Sequence, residues 1–128
     1  MIYVDTSVIL ARLLAEGAQA PDSFWQQALI SSRLAAYETW VRLHAKGLSA
    51  SHSEAASALL SRIHFAELEP EVLARSVEPF PSPVRTLDAL HLATFHFLSQ
   101  RLPRLTLATY DKRLAEAAAQ LGHTLHPL

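Results

Sequence analysis

The chain has 128 residues, half of them hydrophobic, which suits one compact domain over residues 1–128 that buries roughly two-thirds of its unfolded surface. It contains no cysteine, so disulfides, thiolate zinc sites and a cysteine nucleophile are excluded, and any metal must be held by oxygen or imidazole. Eleven lysines and arginines face twelve aspartates and glutamates, so no global basic field marks a nucleic-acid binder, although acids gathered around a metal would mask a local basic rim in that total.

Ile2 to Val4 reads as a short buried strand that ends on Asp5-Thr6-Ser7, and Val8 to Leu14 continues as an apolar helix broken only by Arg12. Asp5 and Arg12 rule out a secretory signal here, and no stretch approaches the ~20 apolar residues of a membrane span, so a soluble, cytoplasmic protein is expected. After a turn from Gly17, Asp22 or Ser23 is placed to cap a helix containing Phe24, Trp25 and Leu29, while Ala28 to Ile30 closes a second strand. Ser31 or Ser32 then caps a helix that runs to about Lys46, where Gly47 stops it. On that helix Leu34, Tyr37, Val41 and Ala45 form one stripe, and Glu38 falls inside it, where a carboxylate needs a partner.

Ser51 and Glu54 have the spacing of a capping box that opens a helix to about Arg62. Phe65 to Leu68 is a weak strand candidate, and Pro70 to Arg75 a short helix beginning on proline. The prolines between Glu78 and Pro83 make a stiff loop rather than an interdomain linker. Thr86 is positioned as the N-cap of a helix from Leu87 to Gln100, apolar almost all round, with Asp88 in its first turn. Leu105 to Ala108 reads as a strand leading through Thr109-Tyr110-Asp111 into a helix from Lys112 to Leu121, ended by Gly122, and His123 to His126 as a last strand. Strands that alternate with helices predict an α/β domain with a parallel sheet covered on both faces.

In such a sheet active groups gather beyond the carboxyl ends of the strands, where Asp5 and Asp111 fall, with Glu38 and Asp88 on helices able to face them. Four acids cannot pack together as bare anions, and a divalent cation resolves the conflict. Oxygen ligands alone favour Mg2+ or Mn2+ over Zn2+, and such a site activates water for phosphodiester hydrolysis with one ion or two.

The segments Ile2-Tyr3-Val4-Asp5-Thr6-Ser7, Glu38 preceded by Leu34 and Tyr37, Arg85-Thr86-Leu87-Asp88-Ala89-Leu90-His91-Leu92-Ala93 and Ala108-Thr109-Tyr110-Asp111-Lys112-Arg113-Leu114 together resemble the PIN-domain ribonucleases, above all the VapC-type toxins of bacterial toxin–antitoxin pairs. The resemblance covers essentially the whole chain. It implies a parallel five-stranded sheet, RNA cleavage with Mg2+ or Mn2+ bound by Asp5, Glu38, Asp88 and Asp111, hydroxyl positions at Thr6 and Thr109, a homodimer, and a small antitoxin protein as inhibitor. The proline-rich stretch from Val77 to Pro83 departs from relatives that often continue as helix.

Each residue also has a plainer reading. Asp5 and Asp111 serve as helix caps, Glu38 pairs with Arg42 one turn later, and Asp88 merely stabilises a first turn. Thr6, Ser7 and Thr109 are turn residues, with Thr6 and Thr109 kept as supports for the acids. His91 is read as a packed residue rather than a base. Arg12, Arg42, Arg85, Lys112 and Arg113 are either solvated charges or a phosphate-gripping rim, with Arg85, Arg12 and Lys112 the substrate-binding candidates. Trp25, Trp40 and Phe24 read as core. The expected activity is therefore metal-dependent endoribonuclease; a DNA or structure-specific nuclease with the same acids, or an inactive RNA- or partner-binding module, are the alternatives.

Overall fold

A computed structural model describes residues 1–128 and bears out the alternation of strands and helices. Strand β1 (Ile2–Val4) leads into α1 (Thr6–Leu14), and β2 (Leu29–Ser32) into α2 (Arg33–Ala45) and α3 (Ser49–Leu60). Strand β3 (Ile63–Ala66) is followed by α4 (Pro70–Ser76) and α5 (Thr86–Ser99), and β4 (Thr106–Ala108) by α6 (Lys112–Gln120). All pairings are parallel, in the order β3-β2-β1-β4.

The period-two alternation of β1 divides the core. Ile2 and Val4 pack into one apolar cluster with Val8, Ile9, Phe24, Trp25 and Leu59, whereas Tyr3 enters a second with Leu92, Phe95, Leu107 and Leu114. Helices thus cover both faces, which lets a parallel strand as short as β1 be apolar at every position. From β1 the chain proceeds to β2 and β3 on one side and returns to β4 on the other, so the crevice beyond the carboxyl ends of β1 and β4 is a topological switch point. The Asp5 N–H donates to the Ala108 carbonyl at 2.9 Å, which fixes the two strand ends side by side.

Several sequence expectations need correction. The sheet has four strands, not five: residues 123–126 make a single bridge, Leu107 with Leu125, because the tail is short and Pro127 has no N–H to extend the ladder. Phe24 and Trp25 form one turn of 3-10 helix, Phe24–Gln26, and Leu29 opens β2; Ser23 makes no side-chain cap, and Asp22 is turned instead to Arg12. The capping box does not form. Helix α3 begins at Ser49, one turn's overlap earlier, and the Ser51 hydroxyl donates to the Leu48 carbonyl. Helix α3 ends at Leu60, and β3 begins at Ile63 rather than Phe65. Thr86 lies inside α5, and the residue before it, Arg85, occupies the cap position without a side-chain bond.

Ser32 does cap α2, accepting from the Leu34 N–H at 3.1 Å, and Gly47 and Gly122 take φ of +69° and +82° just beyond their helices. No helix is long and apolar enough to cross a membrane. Leu107 is 1% exposed within the second of the two apolar clusters, so Leu107→Ala is expected to lower unfolding free energy by about 2–5 kcal/mol. By contrast Val77→Ala, at 85% exposure, should change it by less than about 0.5 kcal/mol; urea titration of both variants measures the contrast.

Candidate active site

Asp5 follows the last residue of β1 and is buried, with Oδ2 accepting from the Ser7 N–H (3.3 Å), the Ser7 hydroxyl (2.6 Å) and the Thr109 hydroxyl (2.8 Å). It is therefore the N-cap of α1 as well as a wall of the crevice. Asp111 does the same for α6. Its Oδ1 accepts from the N–H groups of Arg113 (2.9 Å) and Leu114 (3.3 Å), and its own N–H donates to Thr109 Oγ1 at 2.9 Å. Thr109 thus ties Asp5 to Asp111, and Thr6 reaches the third acid, its hydroxyl donating to Glu38 Oε1 at 3.0 Å.

Asp5, Glu38, Asp88 and Asp111 all line one open cleft of about 530 Å³, together with Thr6 and His91. The sequence placed these four acids on four separate segments, and the fold brings them to one place. Glu38 arrives by a different route from the one expected. The buried face of α2 is Ala35, Thr39 and Leu43, whereas Tyr37 is 65% and Val41 46% exposed, so the apolar stripe faces outward and Glu38 sits at its border with the cleft. Its partners are Thr6 and His91, and it makes no ion pair with Arg42, which instead lines the cleft.

No protein hydrogen bond engages Asp5 Oδ1, Glu38 Oε2, Asp111 Oδ2 or either oxygen of Asp88. Each acid thus has at least one oxygen left for a ligand. Burial, then the charges of Asp111 and Asp5, push the pKa of Asp88 up to about 6. As the side chains stand, no three of the acidic and imidazole groups are placed to hold a metal ion together. The donor set nevertheless fits a hard divalent cation: its free atoms are carboxylate oxygens, and their mutual repulsion is what such a cation relieves.

The cationic residues separate into two groups. Arg12 is paired with Asp22 at 2.7 Å and lines a different depression with Leu13 and Leu59. Arg85, Lys112 and Arg113 line a depression of about 240 Å³ that shares Asp88 and Asp111 with the cleft. The arginines and lysines in ion pairs are Arg12, Arg33, Lys46 and Arg75, so these three stand free beside two carboxylates.

His91 is the residue that sequence reasoning undervalued. It is packed, at 2% exposure, but its partners belong to the site: Nε2 lies 2.6 Å from Glu38 Oε1, 3.2 Å from Thr6 Oγ1 and 4.0 Å from Asp5 Oδ1, while Nδ1 meets the Tyr3 hydroxyl at 2.8 Å. Burial alone would lower its pKa; the Glu38 hydrogen bond and the charges of Asp5, Glu38 and Asp88 outweigh that and raise it. Its position three residues after Asp88, on the same helical face, was the available signal. Ser7, read as a turn residue, also holds Asp5 in place.

A family model described as PIN domain matches residues 2–120. The chain is 34% identical to Ribonuclease VapC46 of Mycobacterium tuberculosis (strain ATCC 25618 / H37Rv), over 94% of this chain and 92% of that protein. It is 31% identical to Ribonuclease VapC35 of the same species, over 95% and 93%. Among solved structures, a chain of a toxin-antitoxin complex from Klebsiella pneumoniae has the same fold, with a TM-score of 0.66 at 19% identity, covering 100% of this chain and 98% of that one.

The raised pKa of Asp88 fixes the sign of one pH effect. Between about pH 4 and 6 the folded state retains a proton that the unfolded chain has released, so this group's contribution to stability falls as pH rises through that window. In EDTA, Asp88→Asn should therefore melt a few degrees above wild type at pH 7.5, with the gap closing near pH 4. Melting curves at both pH values check this, and equal melting at pH 7.5 would contradict it.

Proposed function

The chain belongs to the PIN-domain family, with VapC-type proteins among its relatives, and from that premise we propose that it is a divalent-metal-dependent endoribonuclease, the toxin of a toxin–antitoxin pair. The observation that carries this reading is the meeting of Asp5, Glu38, Asp88 and Asp111 in one cleft, each with an oxygen that the protein leaves free. These four residues would hold Mg2+ or Mn2+ through those free oxygens. A cation held there supplies Lewis acidity toward a water nucleophile and neutralises charge on the phosphate.

The chain's own groups do the positioning. Ser7 and Thr109 orient Asp5, and Thr6 and His91 orient Glu38. Arg42 on the cleft wall and Arg85, Lys112 and Arg113 in the adjoining depression contact the phosphates of the RNA strand, a role in which their freedom from ion pairs leaves them available. Arg12, turned to Asp22, is no part of this set. RNA as substrate follows the names of the two relatives. A small antitoxin protein and a second copy of the chain are the expected partners in the cytoplasm, and exposed Leu73, Val77 and Leu87 supply apolar surface for such contacts.

Purified protein should cleave an RNA pool in Mn2+ and lose that activity in EDTA. Asp5→Asn and Asp88→Asn, folded by circular dichroism, should each lose about a hundredfold or more of the rate. Equal cleavage by wild type and both variants would sink the assignment, and faster cleavage of a matched DNA strand would move it to the deoxy substrate.

For the rim, Arg85→Ala and Lys112→Ala should weaken RNA binding similarly across sequences. Each should also reduce the slope of log affinity against log salt by about one. Arg12→Ala should leave that slope unchanged.

A further inference from the structure

Glu38 is the one acid on a helix interior that must reach the cleft with a long side chain. It lies beside the buried face of α2 rather than on it, and its side chain is 19% exposed. Three rotatable bonds and a path to solvent let a glutamate swing away, and three neighbouring carboxylates repel it. Asp5 and Asp111 escape this difficulty because backbone N–H groups hold them as caps. Glu38 has only side-chain donors.

Those donors are Thr6 Oγ1 at 3.0 Å and His91 Nε2 at 2.6 Å, both on Oε1. A hydroxyl rotates freely about its C–O bond, whereas the imidazole is fixed at both ends. Tyr3, fully buried on the central strand, places its hydroxyl 2.8 Å from Nδ1, with its ring edge-on to the imidazole at a centroid separation of 6.0 Å. When the imidazole is neutral, the Tyr3 hydroxyl donates to Nδ1 and the ring proton is on Nε2; when it is charged, both nitrogens carry protons. In either state Nε2 donates to Glu38.

We propose that His91 is a positioning residue: held by Tyr3 from the core side, it fixes Glu38 Oε1 and thereby presents the carboxylate to the divalent cation of the cleft. This rests on the metal-dependent reading of the site. The competing role is purely structural, in which Tyr3, His91, Thr6 and Glu38 only satisfy one another's buried polar atoms. The two differ in what happens to metal affinity when the fold is intact.

Calorimetric titration of the full chain with Mn2+, without RNA, separates them. His91→Leu keeps the volume and removes the donor, and should weaken Mn2+ binding about tenfold to a hundredfold. His91→Gln returns a donor near the position of Nε2 and should recover most of that loss. Tyr3→Phe, which frees the imidazole, should fall between wild type and His91→Leu.

Wild-type Mn2+ affinity in folded His91→Leu would overturn the proposal, as would a His91→Gln variant no better than His91→Leu. If His91→Leu does not fold, His91→Gln and Tyr3→Phe decide: His91→Gln near wild type with weakened binding in Tyr3→Phe supports it, and Mn2+ affinity unchanged in Tyr3→Phe overturns it. Absence of Mn2+ binding in the wild type overturns it together with the metal-dependent reading. Binding that depends on His91 in a protein that cleaves no RNA leaves the proposal standing and removes the ribonuclease assignment alone.

Discussion

Two unit charges of like sign 4 Å apart repel by about 4 kcal/mol at the effective dielectric of a protein surface. A crevice lined by Asp5, Glu38, Asp88 and Asp111 gathers like charges, and the groups around it must hold them in place. The hydrogen bonds of the site can be understood in this light. Ser7 and Thr109 converge on one oxygen of Asp5, two backbone N–H groups on one oxygen of Asp111, and Thr6 with His91 on one oxygen of Glu38. Asp88 has no such support, and burial, followed by the charges of Asp111 and Asp5, pushes its pKa up to about 6.

The sheet order supplies the rigid frame. β1 lies between β2 and β4, so the residue after β1 and the loop after β4 meet at the switch point, locked by the hydrogen bond from Asp5 to Ala108. Because side chains alternate along a strand, Ile2 and Val4 enter one core while Tyr3 enters the other and meets His91. Changing the register of β1 by one residue would exchange these roles and detach the imidazole from its anchor. Core packing and site geometry are therefore set by the same three residues.

Much of this was legible in the sequence because it rests on local chemistry. Asp5 and Asp111 each follow an apolar run and precede a helix, which places them at strand ends without knowledge of any contact. Glu38 was found for a reason that did not survive: the stripe of Leu34, Tyr37 and Val41 is periodic yet largely exposed, since α2 buries the small residues Ala35 and Thr39 instead. Periodicity reports that a face is apolar and not what covers it. The capping box at Ser51 and the cap at Thr86 failed because helix starts depend on what the preceding loop permits. The fifth strand failed because a run of β-prone residues does not reveal how many partner groups remain at a sheet edge. His91 was judged by type and isolation, and neither discloses that the neighbours of a packed histidine are carboxylates from other segments.

The choice between cap and site, which looked like a choice for Asp5 and Asp111, was never exclusive. An ionised carboxylate has two oxygens and about four lone-pair positions, and a helix N-terminus needs only one of the oxygens. The donors on Asp5 all fall on Oδ2, and those on Asp111 on Oδ1, which leaves the second oxygen of each to the cleft. Capping thus orients the ligand oxygen by immobilising its twin. An asparagine at either position retains an oxygen for the helix but brings an amide N–H2 where the free oxygen stood, and a donor cannot face a cation. Fold and chemistry are separable at these two residues because they use opposite sides of the same group.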